Sequence, residues 1–230
     1  MIEKELYLAI DAAEIAQRLG PLSGKTAAVM KVAVNSTARE ARRLMLKEAL
    51  RRYAINARGQ KYLRELKQSK KATNAKPVAE LSIGGYRGFA GLRNDLAYYR
   101  VNPSSPYMGT SWKNGPEFFR GKVLKDESMA RLTGNGRYSK GFLVRFKSGH
   151  VGMVQRELGV ESKSKRTARG KPRWKTGKTK MVEKLRTMGS PSATAIHNQT
   201  WKAVQPQVQD ILDEYVAQRI EQLLKKEQSG

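Results

Sequence analysis

The chain has 230 residues, enough for one domain or slightly more and for a core that forms without metal or disulfide staples. It contains no cysteine, which excludes disulfides, thiolate zinc sites and cysteine nucleophiles together. With 45 Lys and Arg against 20 Asp and Glu the net charge is +25, and a chain this basic normally meets a polyanion: nucleic acid, a membrane surface or an acidic protein.

The N-terminal Met1–Tyr7 mixes both charge signs and lacks a signal-peptide apolar core. No apolar run reaches the roughly 18 residues of a membrane span, so the expected setting is the cytoplasm, with no membrane partner.

Taken in order, Glu5 to Ile10 suits a short strand or the start of a helix. Asp11 is placed to cap a helix over Ala12–Leu19, stopped by Gly20-Pro21. From Thr26 to about Tyr53 there is neither proline nor glycine. Met30, Val34, Thr37, Ala41 and Leu44 recur in steps of four and three, which predicts one face of a long helix. A shorter helix is expected over Arg58–Lys67, then a polar stretch from Gln68 to Lys76.

Val78 to Ile83 alternates and ends at Gly84-Gly85, as a strand would. Leu96–Val101 is a second strand candidate. Phe142–Phe146 and His150–Arg156, joined through Lys147-Ser148-Gly149, predict a β-hairpin. Met181–Met188 suits a final strand. After Gly189-Ser190-Pro191 the chain turns helical, and Pro206 either opens a new helix or kinks a longer one. Val208, Ile211, Leu212, Tyr215, Val216, Ile220 and Leu223 form an apolar stripe at helical spacing.

These elements predict an α+β fold: a long N-terminal helix and a C-terminal helix packed on a small, mostly antiparallel sheet with long basic loops. One domain over 1–230 is expected. Residues 1–72 would supply N-terminal helices, 77–188 the sheet and loops, and 191–227 the C-terminal helical segment.

Motifs for chemistry are lacking. Gly20-Pro-Leu-Ser-Gly24-Lys25-Thr26 has three residues between its first glycine and Gly-Lys-Thr, one short of a loop that curls its amides around phosphate. His150 and His197 are the only histidines and have no partner at a ligand spacing. No Gly-x-Ser-x-Gly motif occurs. No cofactor, metal or catalytic residue is therefore expected, and the reading is of a protein that is not an enzyme.

Two basic constellations stand out. Arg39, Arg43, Lys47 and Arg51 recur every fourth residue with Arg42 beside them, making one ridge that Glu40 and Glu48 offset only in part. Such a ridge can follow a phosphate backbone, seat against acidic residues of a neighbouring subunit, or remain a solvated face. The second lies in Ser162–Lys180, where Lys163, Lys165, Arg166, Arg169, Lys171, Arg173, Lys175, Lys178 and Lys180 occur without an acid. Its single aromatic, Trp174, argues against base recognition and for electrostatic contact with DNA.

Several segments resemble the prophage minor tail protein Z family. Lys25 to Arg43, an alanine-rich helix with Asn35-Ser-Thr-Ala at its centre and basic residues after it, is similar to that family's first long helix. Gly141–Arg156, with Ser148-Gly149-His150-Val151-Gly152, resembles its hairpin. Val182–Leu185 leading to Gly189-Ser-Pro-Ser192 resembles its closing strand and turn. Gly84–Lys140 lies outside the resemblance.

The resemblance implies a structural subunit of a tailed phage virion, acting in tail completion and head–tail joining at the neck. The implied partners are terminator, connector or stopper rings, further copies of the chain in a ring, and DNA contacted without sequence preference. The rival expectation is a free basic nucleic-acid-binding protein, nucleoid- or ribosome-associated. Against it, no aromatic-studded RNA-binding strand or compact helix-turn-helix is seen.

Overall fold

The computed structural model describes residues 10–64, 66–83, 95–109, 115–162 and 180–229. The fold is α+β, with a long N-terminal helix, a C-terminal helix and small antiparallel sheets. The single domain expected from length is organised as two compact units. One comprises Met1–Arg52, Lys61–Leu92 and Ser192–Gly230; the other comprises Tyr53–Gln60 and Arg93–Pro191.

The first unit is built on helices. α1 (Ala12–Leu19) starts where the Asp11 side chain accepts the N–H groups of Ala13 and Glu14, at 2.8 and 3.2 Å. This satisfies two of the four donors that a helix start leaves open. Gly20, at φ 54°, ends α1, and a 3-10 turn over Gly20–Lys25 leads into α2 (Thr26–Arg52). At a rise of 1.5 Å per residue, α2 is about 40 Å long.

α2 packs along α4 (Ala193–Gln228), which runs unbroken through Pro206. Pro206 sits on the solvent side, so the carbonyl it leaves without a helical partner can be hydrated. The two helices are antiparallel. Val29, Met30 and Ala33 share one core cluster with Ile15, Leu19, Leu212, Val216 and Ile220. Ala41, Leu44 and Met45 share another with Leu66, Trp201, Val204 and Val208. Alanines at 33, 41 and 49 let the backbones approach closely, while each large buried side chain contributes about 1.5–3 kcal/mol. The faces predicted on both helices are the ones buried.

Residues 66–70 depart from expectation. The helix predicted over Arg58–Lys67 is α3 (Ala57–Leu63), and Leu66–Lys70 forms β1, paired antiparallel with β2 (Glu80–Ile83). Tertiary contact overrides the helical pattern here. Leu66 is anchored in the α2–α4 cluster, and the half-buried Arg42 donates to the carbonyls of Leu66 (2.5 Å) and Arg64 (3.3 Å). Asn35 holds the exit of the same hairpin: its amide accepts from Ala72 N–H (2.9 Å) and from Gln68 Nε2 (2.8 Å), and donates to Ala72 O (3.0 Å).

Among the described residues the second unit holds two three-stranded antiparallel sheets. In one, β3 (Arg100–Asn102), β4 (Arg120–Lys122) and β5 (Ala130–Arg131) lie in that order. In the other, β6 (Phe142–Arg145), β7 (Val151–Ser162) and β8 (Lys180–Thr187) do. The strand expected over Leu96–Val101 is a 3-10 turn at Leu96–Tyr98, because Asp95 accepts the Ala97 N–H at 2.9 Å and caps it; only Arg100 onward is strand. The predicted hairpin is β6–β7, with Gly149 at φ 78° in its turn.

Candidate interaction surfaces

α2 presents Arg39, Arg43, Lys47 and Arg51 to solvent on the side away from its buried face. Arg39 donates to Ser36 Oγ at 3.1 Å. Arg43 pairs with Glu40, and Arg51 with Glu48 through Nε at 2.6 Å. Each glutamate is held below its ordinary pKa, first by the hydrogen bond from its arginine. These are surface pairs three residues apart, weak and screened by salt, so both arginines can exchange them for an external carboxylate. Arg42 stands apart from the ridge: it is turned inward to the Leu66 and Arg64 carbonyls and acts as a fastener of the fold.

Of the second basic constellation, Lys163, Lys165, Arg166, Arg169, Lys171, Arg173, Lys175 and Lys178 lie outside the described residues. Lys180 opens β8, its backbone in register with Ser162 at the end of β7. The charge is unevenly shared. The sheet-bearing unit carries 24 Lys and Arg against 7 Asp and Glu, out of totals of 45 and 20.

Sequence reasoning missed a polar network in the second unit. Asp95, 3% exposed, accepts N–H groups from Ala97 and Met153 on one oxygen and meets His150 Nε2 at 3.2 Å with the other. His150 Nδ1 lies 3.4 Å from the Tyr98 hydroxyl, and its ring stacks on Phe146 with centroids 5.7 Å apart. A Cβ on Gly152 would fall 2.9 Å from Asp95 Oδ2 and 3.0 Å from the Phe146 ring. The Ser-Gly-His-x-Gly segment thus has a physical content: a positive-φ glycine, a histidine for Asp95 and a glycine where no side chain fits. The missing signal was Asp95, an isolated acid in the stretch outside the resemblance.

A second network lies on β7. Glu157 receives Arg137 at 2.7 and 3.0 Å and Arg186 at 2.5 Å. Those bonds, Arg137's first, hold its carboxylate below the usual range. Phe118 lies between Arg131 and Lys140, whose charges sit 5.6 and 5.2 Å from its ring centre.

His197 is a core residue of α4, 1% exposed, with Nε2 3.4 Å from Leu63 O. Burial lowers its pKa to about 4, so it is neutral at pH 7. Among the described residues no group of three or more His, Asp or Glu is close enough to hold a metal, and no helix is long and apolar enough to cross a membrane. No protein-family model, curated protein or solved structure matches the chain.

Proposed function

We propose that the protein is a structural subunit of a tailed phage or prophage virion, working in tail completion and head–tail joining at the head-proximal end of the tail. One observation carries the reading: the residues behind the family resemblance serve as fixed points of the fold. Asn35 fastens the exit of the β1–β2 hairpin to α2. Gly149, His150 and Gly152 build the β6–β7 turn onto Asp95. In Gly189–Ser192, the Pro191 carbonyl accepts the Tyr99 hydroxyl at 2.8 Å, and Ser192 Oγ caps α4 by accepting the Ala195 N–H. Positions of this kind are constrained by the scaffold rather than by a surface, which supports reading the resemblance as one of fold.

On this reading the α2 ridge faces neighbouring protein subunits, and the basic segment after β7 meets DNA. Removing the gene from the phage or prophage that encodes the protein should leave full heads and tails that do not join, counted by electron microscopy and restored by the intact gene in trans. Normal numbers of joined, infectious particles without the gene would refute it.

A further inference from the structure

In a chain of net charge +25, one helical stretch runs the other way. Residues 205–224 of α4 hold Asp210, Asp213, Glu214 and Glu221 against a single basic residue, Arg219. Asp210, Glu214, Ala217 and Glu221 fall four, three and four residues apart, so they line one stripe, on the side of α4 opposite its buried Leu212 and Val216. All three acids are exposed. Beside the stripe runs an open groove of about 490 Å³, bordered by Glu214, Glu221 and Arg18, with Ala217, Ile220 and Leu224 among its walls.

The outer face of α2 has the same spacing and carries the opposite charge at two of its four positions. Arg39, Arg43, Leu46 and Leu50 are also four, three and four residues apart, with the exposed Val32 one turn before Ser36 on the same stripe. The two stripes match in length. Eleven residue steps, from Asp210 to Glu221 and from Arg39 to Leu50, both span about 16 Å of helix. They match in pattern as well, each mixing charged positions with small or apolar ones, as paired helices do.

Their present partners are weak ones. Glu221 pairs with Lys225 at 2.6 Å, Glu214 accepts Gln218 at 2.9 Å and Arg43 pairs with Glu40, all within one helix and all exposed.

We infer that the arginine stripe of α2 docks on the acidic stripe of α4 in a second copy of the chain. The contact is between two different surfaces, so it closes only in a dimer that uses both or in a ring. The occupant is a second copy because this chain itself carries, on exposed helix faces, both the arginines and the acids of complementary charge. The inference shares with the proposed function the view that α2 faces protein. Self-association, however, is read on the purified chain, and head–tail joining is read on particles, so either can fail without the other.

The test is a charge swap. In low salt the purified chain should sediment as an oligomer, and high salt should dissociate it. Reversing Arg39→Glu with Arg43→Glu should weaken association about tenfold or more, and reversing Glu214→Arg with Glu221→Arg should do the same. A chain carrying all four reversals should associate again, as should an equimolar mixture of the two double variants. Glutamine at the same four positions supplies a milder series, with folding checked by circular dichroism, should a reversed chain not fold. A monomeric wild-type chain in low salt, association unchanged by either pair, or four reversals that fail to restore it would each overturn the inference.

Discussion

Asp95 and His150 lie 55 positions apart and meet at 3.2 Å, joining the capped turn before β3 to the β6–β7 hairpin. Asp95 also accepts two backbone N–H groups, from Ala97 and Met153, where little water reaches.

Asp95→Ala should therefore cost more than the loss of one contact. Two buried donors would be left without acceptors, an effect of about 2–4 kcal/mol in urea unfolding. Asp95→Asn keeps an acceptor oxygen for both amides and should cost about half as much or less. Gly152→Ala places a methyl against Asp95 and Phe146 and should be destabilising by roughly 1–3 kcal/mol. An alanine at 95 that unfolds at wild-type urea concentration would show that the network is idle.

Acid should weaken the fold through His197. In the folded chain its pKa is about 4, against 6.5 for the free side chain. Between those values the unfolded chain takes up a proton that the folded chain refuses, so stability falls as pH drops from about 6.5 and levels near 4. The full difference corresponds to roughly 3 kcal/mol. Glu157, whose pKa is lowered, adds its own loss only below its ordinary range near 4.5. His197→Leu should flatten the stability profile between about pH 6.5 and 4. A mutant profile as steep as the wild type's would assign the slope elsewhere.

The DNA contact can be separated from the protein contact by salt. Each phosphate neutralised releases a condensed counterion, so affinity should fall steeply with salt concentration. Deleting residues 163–179 should flatten that dependence, because eight of the basic residues go with it. Arg39→Glu with Arg43→Glu should leave the slope in place and impair head–tail joining. If the reversal removes the slope and the deletion spares it, the two surfaces have been assigned the wrong way round.

How much of this was legible depends on the range of the contacts. α1, α2, β6–β7, β8 and α4 announce themselves through periodicity, a capping aspartate, and glycine and proline at their ends, all of them local signals. Residues 66–70 did not, since Leu-Lys-Gln-Ser-Lys is strand only because Leu66 has a core to enter and β2 to pair with. Leu96–Tyr98 has strand-like residues, and a single side-chain cap from Asp95 turns it the other way. Of the surfaces, the arginine ridge was plain from spacing, but that Arg42 leaves it for two backbone carbonyls was not. The acidic stripe of α4 had no signal of its own in the sequence beyond single acids scattered among apolar residues. It became a surface only once the buried side of the helix was known.

The pairing of α2 with α4 also orders events during synthesis. Some 140 residues separate Arg52 from Ala193, so α2 leaves the ribosome long before the helix that covers it. At translation rates of about 5–20 residues per second its alanine-rich face waits many seconds for a mate. The stretch from Tyr53 to Pro191, which contains the whole second unit, is complete before α4 begins. A chain interrupted before Ala193 would display Val29, Met30 and Leu44 without the α4 side chains that help bury them, a state that chaperones and proteases recognise. Quality control over this protein is thereby written into the distance between its two longest helices.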